Sequence, residues 1–336
     1  MVAVRLMAAA GKPRLLPNLL LALASGIGFV ALLEGGARLF GARTPDFLGP
    51  TRFNCLQPSR VLDVEFRPNC TGSTHDTPIR TNALGLRGPD VRDDDSIRIL
   101  TIGDSCTWGW RVHQGESYPA QLQQLLDRGY GPGRYQVLNA GIPGSTSYHG
   151  LVYLRERGLA LRPAIVIAAY GFNDMTRDGD VKAHFRLAHG DARLARLDSR
   201  LIEHSRLYRW LRFNTDARLQ SVDRPPRVSA SLYRRNFSQM AQLVRRDGAR
   251  FMLLDMTHTA REQEYPTTLA AVSRDLALPL VVYEGPRIDV VHPTPDGYRT
   301  LAQEVLATLR KDAYVPAAPS ANVVTTADRT LVDPGR

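Results

Sequence analysis

The chain has 336 residues, enough for one large domain or two small ones, and 43% of them are hydrophobic, ample for a packed core. The formal net charge is +10, yet the basic residues are spread along the whole length, and lysine occurs only at Lys12, Lys182 and Lys311. No zinc-finger, RNP or basic-zipper pattern accompanies the arginines, so nucleic acid is excluded as a partner; attraction to anionic lipid or an acidic polymer stays open.

The first element is an apolar run of 19 residues from Leu15 to Leu33, without a charge. At about 1.5 Å per residue it spans a hydrocarbon core of about 30 Å. Pro17, Gly26 and Gly28 interrupt it, as membrane helices tolerate. Arg5, Lys12 and Arg14 precede it, so the positive-inside rule keeps the N-terminus in the cytoplasm and exports the body. No small-x-small cleavage site follows directly, because Glu34, Gly35, Gly36, Ala37 and Arg38 come next. A single-pass anchor in the inner or plasma membrane, with the body in the periplasm, is therefore preferred over a cleaved signal peptide. Cys55 and Cys70 follow. In an exported body a disulfide between them is expected, with two free thiols as the alternative. Closing a loop of this length is worth roughly 3 kcal/mol in the chain-entropy model.

Residues 41–95 are rich in Pro, Gly, Asp and Arg. They read as a linker followed by short strands or turns, with residues 79–87 as an extended lead-in. From Ser96 the pattern becomes alternating strands and helices. Strands are predicted at 97–102, 136–138, 164–170, 251–254 and 279–283, and helices at 118–128, 147–157, 229–247 and 295–310. The strands are short and almost wholly apolar, which predicts a parallel sheet covered on both faces. Residues 178–227 break the rhythm. They are Arg-rich, carry Phe185, Tyr208, Trp210 and Phe213, and read as one or two inserted amphipathic helices, either a lid over a pocket or a surface insertion. Residues 313–336 read as a disordered tail. The expected division is tail and anchor at 1–40, linker and lead-in at 41–95, an α/β domain at 96–312 and the tail.

Four separated segments carry the residue types of one chemistry. Ser105 stands where the first strand becomes a helix, beyond the carboxyl end of a parallel sheet, where ligands bind. A serine hydroxyl is a poor nucleophile until a base takes its proton. His292, after the last strand, is the candidate base, and Asp289, three residues earlier, falls on the same side of a turn to orient it. The charge that develops on a substrate oxygen needs fixed donors. The N–H of Ser105, the N–H of Gly144 and the amide of Asn173 are the candidates, because all three follow strand ends. Each has a plainer reading: Gly144 as a turn glycine, Asn173 as an Asn in a tight turn, and Asp289 with His292 as a polar loop before a helix. Cys106 reads as a buried small residue rather than a second nucleophile. His258 and the other histidines show no metal-ligand spacing.

Together Gly103-Asp104-Ser105, Asn139 with Gly144, Gly171-Phe172-Asn173-Asp174 and Asp289-Val290-Val291-His292 resemble the four blocks of the SGNH/GDSL hydrolase superfamily. Residues 79–87 and 109–118 are similar to a bacterial, membrane-anchored branch. The resemblance covers about residues 96–312. It implies a flavodoxin-like three-layer α/β/α sandwich and ester hydrolysis through an acyl-enzyme, with Ser105, His292 and Asp289 as the triad, Ser105, Gly144 and Asn173 as the oxyanion donors, and no cofactor or metal. The chain departs from the pattern at Cys106 and Arg111, where an aromatic and a small residue are expected. Lipids and acetylated glycans are the implied ester substrates. An O-acetyltransferase acting on an envelope polysaccharide would use the same residues, and an inactive glycan-binding protein would keep the fold alone.

Overall fold

The computed structural model describes residues 15–39, 55–59, 61–74, 77–177, 201, 204–208, 210–211, 225–257 and 263–317. The chain divides into two compact units, Met1–Pro50 with Leu197–Ser221, and Thr51–Arg196 with Val222–Arg336.

In the first unit α1 (Leu15–Leu39) is a single helix. Its stretch Leu16–Leu39 is long and apolar enough to cross a membrane, a test that a signal sequence also passes. Near its end Glu34 pairs with Arg38 at 2.7 Å and accepts the Ser205 hydroxyl at 2.8 Å. The same carboxylate accepts the N–H groups of Arg206 at 3.0 Å and Leu207 at 2.9 Å. Residues 204–207 of the 178–227 insertion thus clasp the end of α1, while Arg227 bonds to Thr176 O and Gly144 O in the second unit. The remainder, on which the lid expectation falls, lies outside the described residues.

The second unit opens with two short antiparallel hairpins, β1 (Leu56–Ser59) with β2 (Asp63–Phe66), and β3 (Thr71–Thr74) with β4 (Thr77–Arg80). The α/β domain follows: β5 (Ile97–Gly103), α2 (Ser105–Trp108), α3 (Tyr118–Tyr130), β6 (Tyr135–Gly141), α4 (Ser147–Tyr153), β7 (Ile165–Ala169), α5 (Phe172–Met175), α6 (Ala230–Arg246), β8 (Arg250–Asp255), α7 (Glu264–Leu276), β9 (Leu280–Val282) and α8 (Pro295–Lys311).

β5 to β9 form one parallel sheet in the order β6-β5-β7-β8-β9. This is the flavodoxin-like winding, a three-layer α/β/α sandwich, and it reverses direction between β5 and β7. Alternate residues of each strand feed opposite faces. Leu100 and Ile102 pack with Leu151 of α4, Phe237 and Met240 of α6 and Leu269 of α7. Ile99 packs on the other side with Leu122 of α3 and Leu301 and Val305 of α8. Ends are set locally. The Thr294 hydroxyl accepts the Gly297 N–H at 3.0 Å to start α8, with Pro295 in the first turn.

Three boundaries differ from expectation. α4 stops at Tyr153 and continues as a wider turn over Leu154–Gly158 and a tight turn over Leu159–Leu161. α7 is an added element, held by Tyr265, Leu269 and Val272, whose spacing is hidden behind Pro266 and two threonines. Residues 313–317 pack on the domain, with Val315 buried and the Tyr314 hydroxyl donating to Phe251 O at 3.0 Å. The rest of the expected tail, from residue 318, lies outside the described residues.

Candidate active site

The register aligns the carboxyl ends of β5, β6 and β7, with Gly103 opposite both Gly141 and Ala169. α2 starts two residues beyond Gly103 and folds back over these ends. A Cβ on Gly103 would lie 2.7 Å from Ala169 O and collide with the Thr107 hydroxyl, so the approach requires glycine. Asp104 caps α2, its Oδ1 accepting the Cys106 N–H at 2.9 Å. Its Oδ2 accepts the Asn173 amide at 3.1 Å. Burial pushes the Asp104 carboxyl above its usual range against the pull of these bonds. Ser105 is left at the first position of α2, facing the crevice at the switch point.

His292 reaches Ser105 from the loop between β9 and α8. Its Nε2 lies 2.8 Å from Ser105 Oγ. Its Nδ1 lies 2.9 and 2.8 Å from the two oxygens of Asp289. A hydrogen on Nδ1 and a lone pair on Nε2 satisfy all three contacts. Asp289 Oδ1 also accepts the N–H of Val291 at 3.0 Å and of His292 at 2.9 Å. Partial burial works against ionisation of Asp289, but these donors outweigh it and hold the carboxyl below its usual range. The indole of Trp110 stacks on the imidazole with centroids 5.5 Å apart.

Gly144 and Asn173 follow the ends of β6 and β7. Gly144 lies in the turn from Ile142 to Ser145, closed by a 3.1 Å bond from Ser145 N to Ile142 O. Pro143 followed by Gly144 at φ +81° fits a type II turn, where the third residue must be left-handed. A Cβ on Gly144 would meet nothing within 4 Å, so this position borders open space. Its carbonyl accepts Arg227 Nη1 at 3.0 Å. Asn173 Nδ2 donates to Asp104 Oδ2 and to Ser145 O, each at 3.1 Å. Asp174 turns the other way. It is fully buried and accepts the Ser147 N–H at 3.0 Å and hydroxyl at 2.5 Å, tying α5 to the start of α4. Burial pushes its carboxyl up to about 7 despite these bonds.

One contributor, Arg287, carried no legible signal in the sequence. Arg287 donates to Met256 O at 3.1 Å, Val291 O at 2.8 Å and Tyr283 O at 2.8 Å, fastening the Asp289–His292 loop to the ends of β8 and β9. Buried Cys106 donates to Val291 O at 3.6 Å, and burial pushes its thiol well up, away from the reactive thiolate. Arg111 adopts φ +59°, the left-handed conformation, which is why a small residue is expected there. Cys55 and Cys70 are bonded, with Cα atoms 5.7 Å apart. Among the described residues no group of three or more His, Cys, Asp or Glu side chains is gathered as a metal set.

The GDSL-like lipase/acylhydrolase family matches this chain over residues 101–300. The chain belongs to that family. It is 36% identical to the esterase TesA of Pseudomonas aeruginosa over 80 residues, 24% of this chain and 38% of TesA, so the likeness spans well under half of that relative. A crystal structure of TesA superposes with a TM-score of 0.43 at 22% identity, covering 64% of this chain and 98% of that one. The psychrotrophic esterase EstA of Pseudoalteromonas sp. gives 0.43 at 16% identity, over 66% and 100% of the two chains. The acetylxylan esterase Axe2 of Geobacillus stearothermophilus gives 0.41 at 16%, over 65% and 96%.

Proposed function

We propose that the chain is an exported serine esterase, held in the membrane by α1, that cleaves acyl or acetyl esters through an acyl-enzyme. The observation that carries this reading is the continuous contact from Ser105 Oγ through the His292 imidazole to Asp289, each step 2.8–2.9 Å. In the proposed cycle Ser105 Oγ bonds to the ester carbonyl carbon while its proton passes to His292 Nε2. Asp289 keeps the imidazole oriented and stabilises its cation. The C–O bond to the alcohol then breaks, and the leaving oxygen takes the proton from Nε2. Water repeats the sequence on the acyl-enzyme, releasing the acid and restoring Ser105.

The developing oxyanion would be met by the N–H groups of Ser105 and Gly144 and by Asn173 Nδ2. Both hydrogens of that amide are directed at Asp104 and Ser145, so it must turn or share one of them as the oxyanion forms. Both existing bonds are at the long end of the usual range, which keeps that exchange inexpensive. In this reading residues 96–312 are the catalytic domain, 1–40 the tail and anchor, and lipids or acetylated glycans at the periplasmic face the substrates.

The test is fluorophosphonate labelling of membrane fractions from cells carrying the wild-type chain or Ser105→Ala. Labelling that is Ser105-dependent and membrane-associated is expected; equal labelling of both, or a soluble labelled product, removes the nucleophile or the anchor from the reading. Partitioning of the acyl group between water and added sugar hydroxyls separates hydrolysis from O-acetyl transfer.

A further inference from the structure

We propose that Arg87 is a positioning residue for the nucleophile, and that the disulfide-closed hairpins preceding it are the platform that holds it. The proposal rests on the assignment of Ser105 above. Arg87 is 4% exposed. Its guanidinium donates to three backbone carbonyls in the segment that follows Ser105: Trp108 O and Gly109 O at 2.6 Å, and Val112 O at 2.7 Å. It also lies 5.0 Å from the centre of the Trp108 ring. The same turn is bound back to the nucleophile, since the N–H groups of Gly109 and Trp110 both donate to the Ser105 carbonyl at 3.0 Å. Trp110 then stacks on His292. Arg87 therefore stands behind both partners of the 2.8 Å contact between Ser105 and His292.

The residue is fixed from its own side as well. Its N–H donates to Asn139 O at 3.1 Å, and the Asn139 amide returns to Thr107 O at 3.0 Å and Trp108 O at 3.3 Å. Arg87 bridges to Thr81, whose N–H donates to Cys70 O at 2.9 Å. Cys70 is bonded to Cys55, and Cys55, Phe66 and Ile79 pack under Trp108. Phe66 stacks on that indole with centroids 3.8 Å apart and planes within 8°. A continuous path thus runs from the disulfide to the backbone that sets Ser105.

The chemistry asks for arginine rather than a filler. A buried cation whose bonded partners are neutral carbonyls is costly to desolvate, and an apolar side chain of similar volume would avoid that cost. Burial pulls the guanidinium down to about 10, still charged at neutral pH. What the planar fork supplies is simultaneous bonds to three carbonyls in fixed directions, which neither methionine nor the single ammonium of lysine reproduces.

The test compares full-length wild type, Arg87→Met, Arg87→Lys and Ser105→Ala. It reads kcat and KM on p-nitrophenyl acetate, the rate of fluorophosphonate labelling, and the Tm. A misplacement of about 1 Å can cost about 10²-fold, so Arg87→Met is expected to lose roughly 10- to 100-fold in kcat and in labelling rate together, with KM little changed. Arg87→Lys should recover part of the loss. Wild-type rates in Arg87→Met, or losses no larger than the fall in folded fraction, overturn the proposal. If Ser105→Ala still labels and turns over, the nucleophile assignment fails instead, whatever Arg87 does. If Arg87→Met does not fold, Phe66→Leu and reduction of the disulfide carry the test. Each should lower kcat and labelling rate in parallel, and unchanged values in both overturn it.

Discussion

Ser105 and His292 meet at 2.8 Å, but the two sides of that contact are built differently. Ser105 sits at a strand-to-helix junction, over a sheet buried on both faces, with Asp104, Asn139 and Arg87 fastening the turn around it. His292 sits on a loop with no regular structure, where Val290 is 77% exposed. That loop is tied by polar bonds beside the buried Val291 side chain: Asp289 to two N–H groups, Ile288 N to His292 O at 2.7 Å, and Arg287 to three carbonyls. The nucleophile is thus held over a covered sheet and the base on a more exposed loop, so the two halves should fail under different perturbations.

The largest effect is expected at the junction. Ser105→Ala should lower kcat on p-nitrophenyl esters by on the order of 10⁵- to 10⁶-fold with KM little altered. On the loop, Asp289→Asn should cost about 10⁴-fold in kcat, because the amide no longer selects the tautomer that leaves Nε2 basic. Steady-state assays that found the junction and loop variants reversed in severity would break the comparison. Asn173→Ala, beside the junction through Asp104, should cost about 10²- to 10³-fold through the lost oxyanion donor. A loss confined to KM would take Asn173 out of the oxyanion set. Arg287→Met should cost about tenfold in kcat by loosening the loop, since base and nucleophile must hold their near-attack geometry. Hydrogen exchange at Val291 and His292 should rise in that variant while exchange in β5 stays protected.

The smallest expected effect is a pH dependence with opposite signs in the two regions. Asp174, under the junction, has its carboxyl raised by burial from 3.8 to about 7. Between those values the folded chain holds a proton that the unfolded chain has lost. Its contribution is fully present at low pH and is lost as pH rises through about 7. Asp289, on the loop, is depressed, so its contribution is present above the usual carboxylate range and is lost as pH falls through its lowered value. The Tm of the wild type should therefore fall from pH 5 to pH 8 through Asp174, and Asp174→Asn should flatten that fall. An unchanged slope would place the dependence elsewhere.

Much of the domain was legible along the chain. The sheet strands are largely apolar because the sheet is covered on both faces, so 97–102, 136–138 and 164–170 stand out without alternation, the middle strand extending in the structure to Tyr135–Gly141. The glycines at 103 and 144 and the block around Asn173 mark strand ends, where backbone and ligand approach. The short strands or turns expected within 41–95 are present, but their pairing into hairpins over 56–80 did not stand out. Their four-residue strands include sequences such as Thr71–Thr74 and Thr77–Arg80, with little β pattern, and depend on the disulfide and on Trp108 for burial. Arg287 was equally silent, because an arginine that binds carbonyls leaves no spacing rule behind it.

Local chemistry thus determined the strands, most of the longer helices and the residue types of the site. Those are properties of a few neighbouring residues and of periodic burial. Only the tertiary structure decided that His292 meets Ser105, that Asn173 joins Asp104, and that Arg87, Arg287 and the Asp104 and Asp289 carboxylates brace these residues. Those relations join positions up to 187 residues apart, and they are set by strand order and register rather than by any segment's own preference.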